Sequence, residues 1–292
     1  MVTQCPYCQC GLGLLLSGAG IQLDYGDNVF NDIENAINAG KITQKALDDA
    51  VTRAFLTRFR LGEFDDARNP FFGKYPIELL DSVGHRQAAR KAVSASAVLL
   101  QNLDDALPLP SSGLKKVAVI GPWSDCKDRR GGYGGSMGYL NNYKGQPSYI
   151  NTVLDAVTEE AQAGNFQVAY AQGSEQVGTK ANASLIAEAT AAVQGADVVI
   201  LSLGLGNDIE GEGRDRSELT FPPPQIALLA AVKKAVKAQN IETGSTTKLV
   251  VAIMSAGGVD MDPGEIDAVI QLWYGGQVRC YLQRALSNSI YI

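Results

Sequence analysis

The sequence predicts an α/β fold: an open, mostly parallel α/β sandwich in which helices cover both faces of one sheet. Three observations predict it. Four short apolar runs, at 115–121, 196–204, 248–254 and 266–273, do not alternate with polar residues. Strands that do not alternate are buried on both faces, as in a parallel sheet. Segments of helical character lie between these runs, at about 151–163, 181–194 and 222–239, and the resulting alternation of strand and helix is that of a sheet covered on both sides.

Upstream of the sheet the pattern is helical. Residues 1–18 hold Cys5, Cys8 and Cys10, then Gly-Leu-Gly-Leu-Leu-Leu, and share no periodicity with the segments beyond them. Residues 19–24 read as a short strand ending in a turn. A helix over 33–38 stops at Ala39-Gly40. Thr43 caps a longer helix with Ala46, Leu47, Ala50, Val51, Ala54, Phe55 and Phe59 at helical spacing. Its end, Arg58-Phe59-Arg60-Leu61-Gly62, puts cations in the last turn and glycine at the stop. Residues 63–81, with Pro70, Gly73 and Pro76, lack periodicity. A further helix is expected over 82–102, capped by Ser82 and apolar on nearly every side.

At 292 residues, 46% hydrophobic and 19% charged, the chain has the composition of a globular protein with a real core. A net charge of -6 argues against a nucleic-acid or anionic-membrane surface. The apolar run 12–16 is too short to span a bilayer and lacks the basic head of a secretory leader. The C-x-x-C-x-C cluster at Cys5, Cys8 and Cys10 is half of a zinc site at most. With one histidine, His85, and isolated Cys126 and Cys280, the ligands to complete it are lacking.

The most informative segment leaves the run that ends at Gly204: Asn207-Asp208-Ile209-Glu210-Gly211-Glu212-Gly213-Arg214-Asp215-Arg216. Taken alone it is either a solvated acidic loop or a proton-transfer site. Carboxylates of like charge push a neighbour's pKa up and arginines pull others down, so such a cluster can divide acid and base roles. In open α/β sheets ligands sit beyond the carboxyl ends of the strands, which favours the second reading. Glu212 lies between two glycines, and Glu210, two positions away, would face the same way in an extended loop. Asp215, between two arginines, reads as a structural partner.

Competing motifs fail on context. A dinucleotide fold needs G-x-G-x-x-G directly after its first strand, whereas 121–125 reads Gly-Pro-Trp-Ser-Asp. The Gly/Tyr stretch over 131–145 reads as a surface loop, with Trp123, Tyr133 and Tyr143 as candidates to border a ligand cleft. His85 sits at a helix start and no G-x-S-x-G elbow accompanies it, so it reads as structural.

Taken in order, several segments resemble glycoside hydrolase family 3, and most closely its plant and fungal β-xylosidases. They are 19–26, 50–65, His85-Arg86, Val98-Leu99-Leu100-Gln101-Asn102, Leu107-Pro108-Leu109, 117–122, 209–216 and Trp273-Tyr274-Gly275-Gly276-Gln277. The resemblance implies a division into an unassigned tail (1–18), the helical tail of a truncated (β/α)8 barrel (19–65), a linker (66–81), the α/β sandwich (82–277) and a divergent tail (278–292). It implies retaining hydrolysis of terminal β-linked xylose or glucose, with an oligosaccharide or glycoside as the partner and no metal or organic cofactor. Glu212 matches the family's acid/base glutamate, while Glu210 and Arg216 match flanking substrate-binding positions. The nucleophilic aspartate of the barrel has no counterpart, so this chain alone is expected to be inactive, an inactive sugar-binding or non-functional remnant being the alternative. The parent family is often secreted.

Overall fold

The computed structural model describes residues 31, 33–65, 76–110, 112–125, 150–211 and 213–276. The chain divides into two units, Met1–Leu80 and Asp81–Ile292. In the first, α1 (Ile33–Asn38) leads to α2 (Gln44–Arg60). The Thr43 hydroxyl accepts the Ala46 N–H at 3.2 Å, the cap its position predicts. Gly62 takes φ +77° just past the end of α2. Arg58 grips Glu63 through two 2.5 Å hydrogen bonds and lies over the Phe55 and Phe64 rings. No residue of α2 is buried, although its apolar spacing is helical. The strand expected over 19–24 lies outside the described residues.

The second unit is a six-stranded sheet. Its elements are α3 (Val83–Ser96), β1 (Val98–Asn102), β2 (Lys116–Ile120), α4 (Val153–Gly164), β3 (Gln167–Ala171), α5 (Ala183–Val193), β4 (Val198–Gly204), α6 (Pro223–Thr243), β5 (Lys248–Met254) and β6 (Ala268–Gln271). The spatial order is β1-β6-β5-β4-β2-β3, and every pairing is parallel except β1 with β6. The fold is α/β, as its sequence pattern predicts.

Two elements differ from the sequence reading. The helix expected over 82–102 ends at Ser96, and 98–102 is the antiparallel edge strand β1. Ala97 turns out of the helix at φ -64°, ψ 136°, after which the backbone of the Val-Leu-Leu run is paired by β6. Tertiary pairing overrides the apolar spacing here. The second is β3, the opposite edge, where Gln167 and Tyr170 are exposed. As an edge strand exposed at its first and fourth residues, β3 is only partly buried, unlike the central strands.

The central strands divide their side chains between two cores, as the two-residue period of a strand requires. Val117, Val119, Val198, Ile200, Val250 and Ala252 face α4 and the 106–109 segment. Ala118, Ile120, Val199, Leu201, Leu249 and Val251 face α5 and α6. The chain runs from β2 to β3 on one side and returns to β4 on the other. Such a reversal opens a crevice at the carboxyl ends of the strands, where ligands commonly bind.

Here Trp123 fills that crevice. Its side chain is fully buried. A Cβ on Gly204 would lie 2.9 Å from the ring, and one on Gly206 would lie equally close. Glycine at both positions lets the indole pack closely against the end of β4. The expectation that Trp123 borders a ligand cleft is therefore corrected: it is a core residue. Tyr133 and Tyr143 lie outside the described residues.

Candidate active site

With the switch-point crevice occupied, the sheet's carboxyl edge is shaped by three segments leaving β4, β5 and β6. The first begins at buried Leu205, whose N–H donates to Met254 O at 3.0 Å, and turns at Gly206 with φ +78°. The Ile209 and Glu210 N–H groups both donate back to Gly206 O, at 3.1 and 3.0 Å, which curls the chain. The Arg214 N–H donates to Gly211 O at 3.0 Å, and Gly213 takes φ +73°. Glu212 lies outside the described residues.

Glu210 is buried, and both its oxygens are engaged. Oε1 accepts the Ala256 N–H at 2.6 Å and the Tyr274 hydroxyl at 2.5 Å, while Oε2 accepts the Gly257 N–H at 2.9 Å. Hydrogen bonds to an ionised acceptor are shorter and stronger than neutral ones. The donors come from the turn after β5 and from the end of β6, so this carboxylate ties the first segment to both others. Sequence reading gave Glu210 a substrate contact. The structure gives it three protein donors.

Tyr274 is the residue that reading missed as a site component. Its Oη accepts the Gly206 N–H at 2.8 Å while its own proton goes to Glu210. Its ring packs against the first core, with its centroid 6.1 Å from that of Trp123. Burial, followed by the hydrogen bond to the Glu210 carboxylate, drives its pKa far above the usual phenol value. Its one sequence signal was the Trp-Tyr-Gly-Gly run at 273–276, which carries no chemistry when read alone.

The turn after β5 is itself braced. The Ser255 hydroxyl donates to Gly257 O at 2.8 Å, and the Gln271 side-chain amide donates to Ser255 O at 2.8 Å. Arg216 donates through Nη2 to Gly258 O at 2.5 Å, and its buried Nη1 has no hydrogen-bond partner among the described residues. A Cβ on Gly257 would lie 2.7 Å from Arg216 Nη2 and 3.1 Å from Glu210 Oε2, so this glycine admits both groups to one spot. Arg214 donates to Asn207 O at 2.9 Å. Asp215 is exposed, and both neighbouring arginines donate to backbone carbonyls.

His85 is exposed in the first turn of α3, where its N–H donates to the Ser82 cap. All five cysteines lie outside the described residues. Among the described residues no cluster of three or more His, Cys, Asp or Glu is arranged to hold a metal ion, and no helix is long and apolar enough to cross a membrane.

Residues 97–282 match the glycosyl hydrolase family 3 C-terminal domain. The chain belongs to this family. A probable exo-1,4-β-xylosidase of Aspergillus clavatus is 31% identical over 245 residues, covering 84% of this chain and 28% of that protein. Probable β-D-xylosidase 6 of Arabidopsis thaliana is 29% identical over 266 residues, covering 89% and 30%. Among solved structures, a family 3 exo-β-xylosidase in complex with a xylobiose aziridine probe superposes with a TM-score of 0.76 at 27% identity. That superposition covers 96% of this chain and 33% of the other. A β-glucosidase from Listeria innocua in complex with isofagomine shares the fold, with a TM-score of 0.72 at 24% identity over 97% of this chain and 36% of its own. The chain thus spans 28% to 30% of the length of these two curated relatives.

Proposed function

We propose that this chain carries the acid/base half of a retaining glycosidase that removes terminal β-linked xylose or glucose from oligosaccharides. Glu212 is the proton donor. It protonates the departing glycosidic oxygen while a second carboxylate attacks the sugar carbon from the opposite face. It then takes a proton from the water that releases the glycosyl intermediate. The second carboxylate must stand about 5–5.5 Å from the first, which one short loop does not readily provide for both. We assign the nucleophile to a barrel domain of which residues 19–65 are the tail, joined through 66–81 to the sandwich.

The observation that carries this reading is the braced loop at the sheet's carboxyl edge, in a chain of a glycoside hydrolase family. Gly211 and Gly213, which flank Glu212 in the sequence, lie in the segment that Glu210 anchors. A proton donor works only when held within hydrogen-bond reach of the reacting oxygen, so a fixed loop is what the chemistry needs. Glu210, already engaged by three donors, serves the loop, and Arg216 orders the 257–258 backbone beside it.

The test is nitrophenol release from aryl β-xyloside and β-glucoside. The 292-residue chain alone is expected to release none above buffer. Joined to a barrel that supplies the nucleophile, it is expected to turn over, and Glu212→Gln to slow poor leaving groups by about 10²- to 10⁴-fold. An unchanged rate in Glu212→Gln would remove the acid/base role. Turnover by the chain alone that Glu212→Gln abolishes would remove the assignment of the nucleophile elsewhere.

A further inference from the structure

We propose that Tyr274 and Glu210 are positioning residues that act as one unit, clamping the 206–216 loop to the ends of β5 and β6. The inference rests on the acid/base reading of that loop and names what holds it in register. Four hydrogen bonds form a continuous chain. The Gly206 N–H donates to Tyr274 Oη at 2.8 Å, the Tyr274 hydroxyl to Glu210 Oε1, the Ala256 N–H to the same oxygen at 2.6 Å, and the Gly257 N–H to Oε2 at 2.9 Å. The loop is therefore gripped at its first turn and again four residues later, by groups on two other strand ends.

Each end of this chain is buttressed. Tyr274 packs against the first core beside Trp123, which is fully buried. The Ala256–Gly257 turn is held by Ser255 and, through it, by buried Gln271. The phenol stays protonated across the working pH range, because burial and the neighbouring carboxylate oppose its ionisation. Tyr274 is thus a permanent donor to Glu210 and a permanent acceptor for Gly206. A network whose members are all satisfied rigidifies its surroundings, whereas a half-satisfied one does not.

Amide hydrogen exchange and carboxyl-carbon NMR on the full chain test this, using Tyr274→Phe and Glu210→Gln. The decisive readings are the crossed ones. Tyr274→Phe is expected to speed exchange at Ala256 and Gly257, and Glu210→Gln to speed it at Gly206, each by about tenfold or more, with the β4 amides unchanged. The Glu212 carboxyl titration is expected to move in both variants. Acceleration only at the amide that loses its direct partner would overturn the claim of one unit. Crossed acceleration with an unmoved Glu212 titration would overturn the positioning role. If Tyr274→Phe does not fold, loss of Gly206 protection and a shifted Glu212 titration in Glu210→Gln support the unit, and their absence overturns it. Full glycoside hydrolysis by Glu212→Gln in the barrel-joined protein, with the crossed exchange intact, would instead remove the acid/base reading and leave the clamp standing.

Discussion

Trp123→Ala tests whether the crevice at the sheet's switch point is structural filler. The indole is fully buried against Gly204 and Gly206 and neighbours the Tyr274 ring at 6.1 Å. Truncating a buried tryptophan costs about 3–5 kcal/mol, depending on how far the surroundings collapse. Here they collapse little. One wall is strand backbone, where a Cβ on Gly204 would lie 2.4 Å from Met254 O. The upper part of that range is expected, a large share of the ~5–15 kcal/mol typical of a domain. With a urea m-value of about 2 kcal/mol/M the unfolding midpoint should fall by about 2 M. The assay is far-UV circular dichroism in urea, because the substitution removes one of only two tryptophans. Dry apolar cavities of this kind bind small aromatics. Free indole at ten times its Kd should restore about 1.4 kcal/mol to the variant and nothing to the parent. A loss below about 1 kcal/mol, or equal stabilisation of both proteins by indole, would refute the packing argument.

Three further outcomes rest on single positions. Gly121 adopts φ +120°, and a Cβ there would lie 2.1 Å from Ser202 O. Gly121→Ala combines backbone strain with a backbone clash and should lose about 2–6 kcal/mol. Gly195→Ala, with φ +71° and open space around the added methyl, should lose only about 1 kcal/mol, and equal urea midpoints for the two variants would contradict this. For Tyr274 the folded pKa is raised above the ordinary 10.0. Its contribution is therefore complete below pH 10 and is lost above it, where the unfolded chain releases the proton that the folded chain retains. Stability should fall with pH above about 10, and the difference in slope between the parent and Tyr274→Phe isolates this one group. Identical slopes would show that the phenol is not held as described.

The legible parts of this fold are those whose pattern is local. β2, β4, β5 and β6 announce themselves because each is buried on both faces, which leaves no polar alternation in the sequence. The Thr43 and Ser82 caps are legible because their hydrogen bonds close within three residues. The edge strands are not. β1 is an apolar run whose spacing suits a helix equally well, and only its pairing with β6, some 170 residues onward by register, makes it a strand. β3 is short and pairs on one side only, with Gln167 and Tyr170 exposed, so it has the mixed pattern of a sheet edge.

The same distinction governs the site. Glu210 and Glu212 are two residues apart, each followed by glycine, and nothing in their spacing ranks one above the other. What sets Glu210 apart is a set of donors 46, 47 and 64 residues away, delivered by the ends of two other strands. A carboxylate engaged by two backbone N–H groups and a phenol has little acceptor capacity left for a sugar hydroxyl. On the proposed acid/base reading, Glu210, the member that the fold grips, is the anchor, and proton transfer falls to Glu212. The anchoring follows from sheet topology, because parallel neighbours bring the carboxyl ends of β4, β5 and β6 to one edge where a single carboxylate can join them.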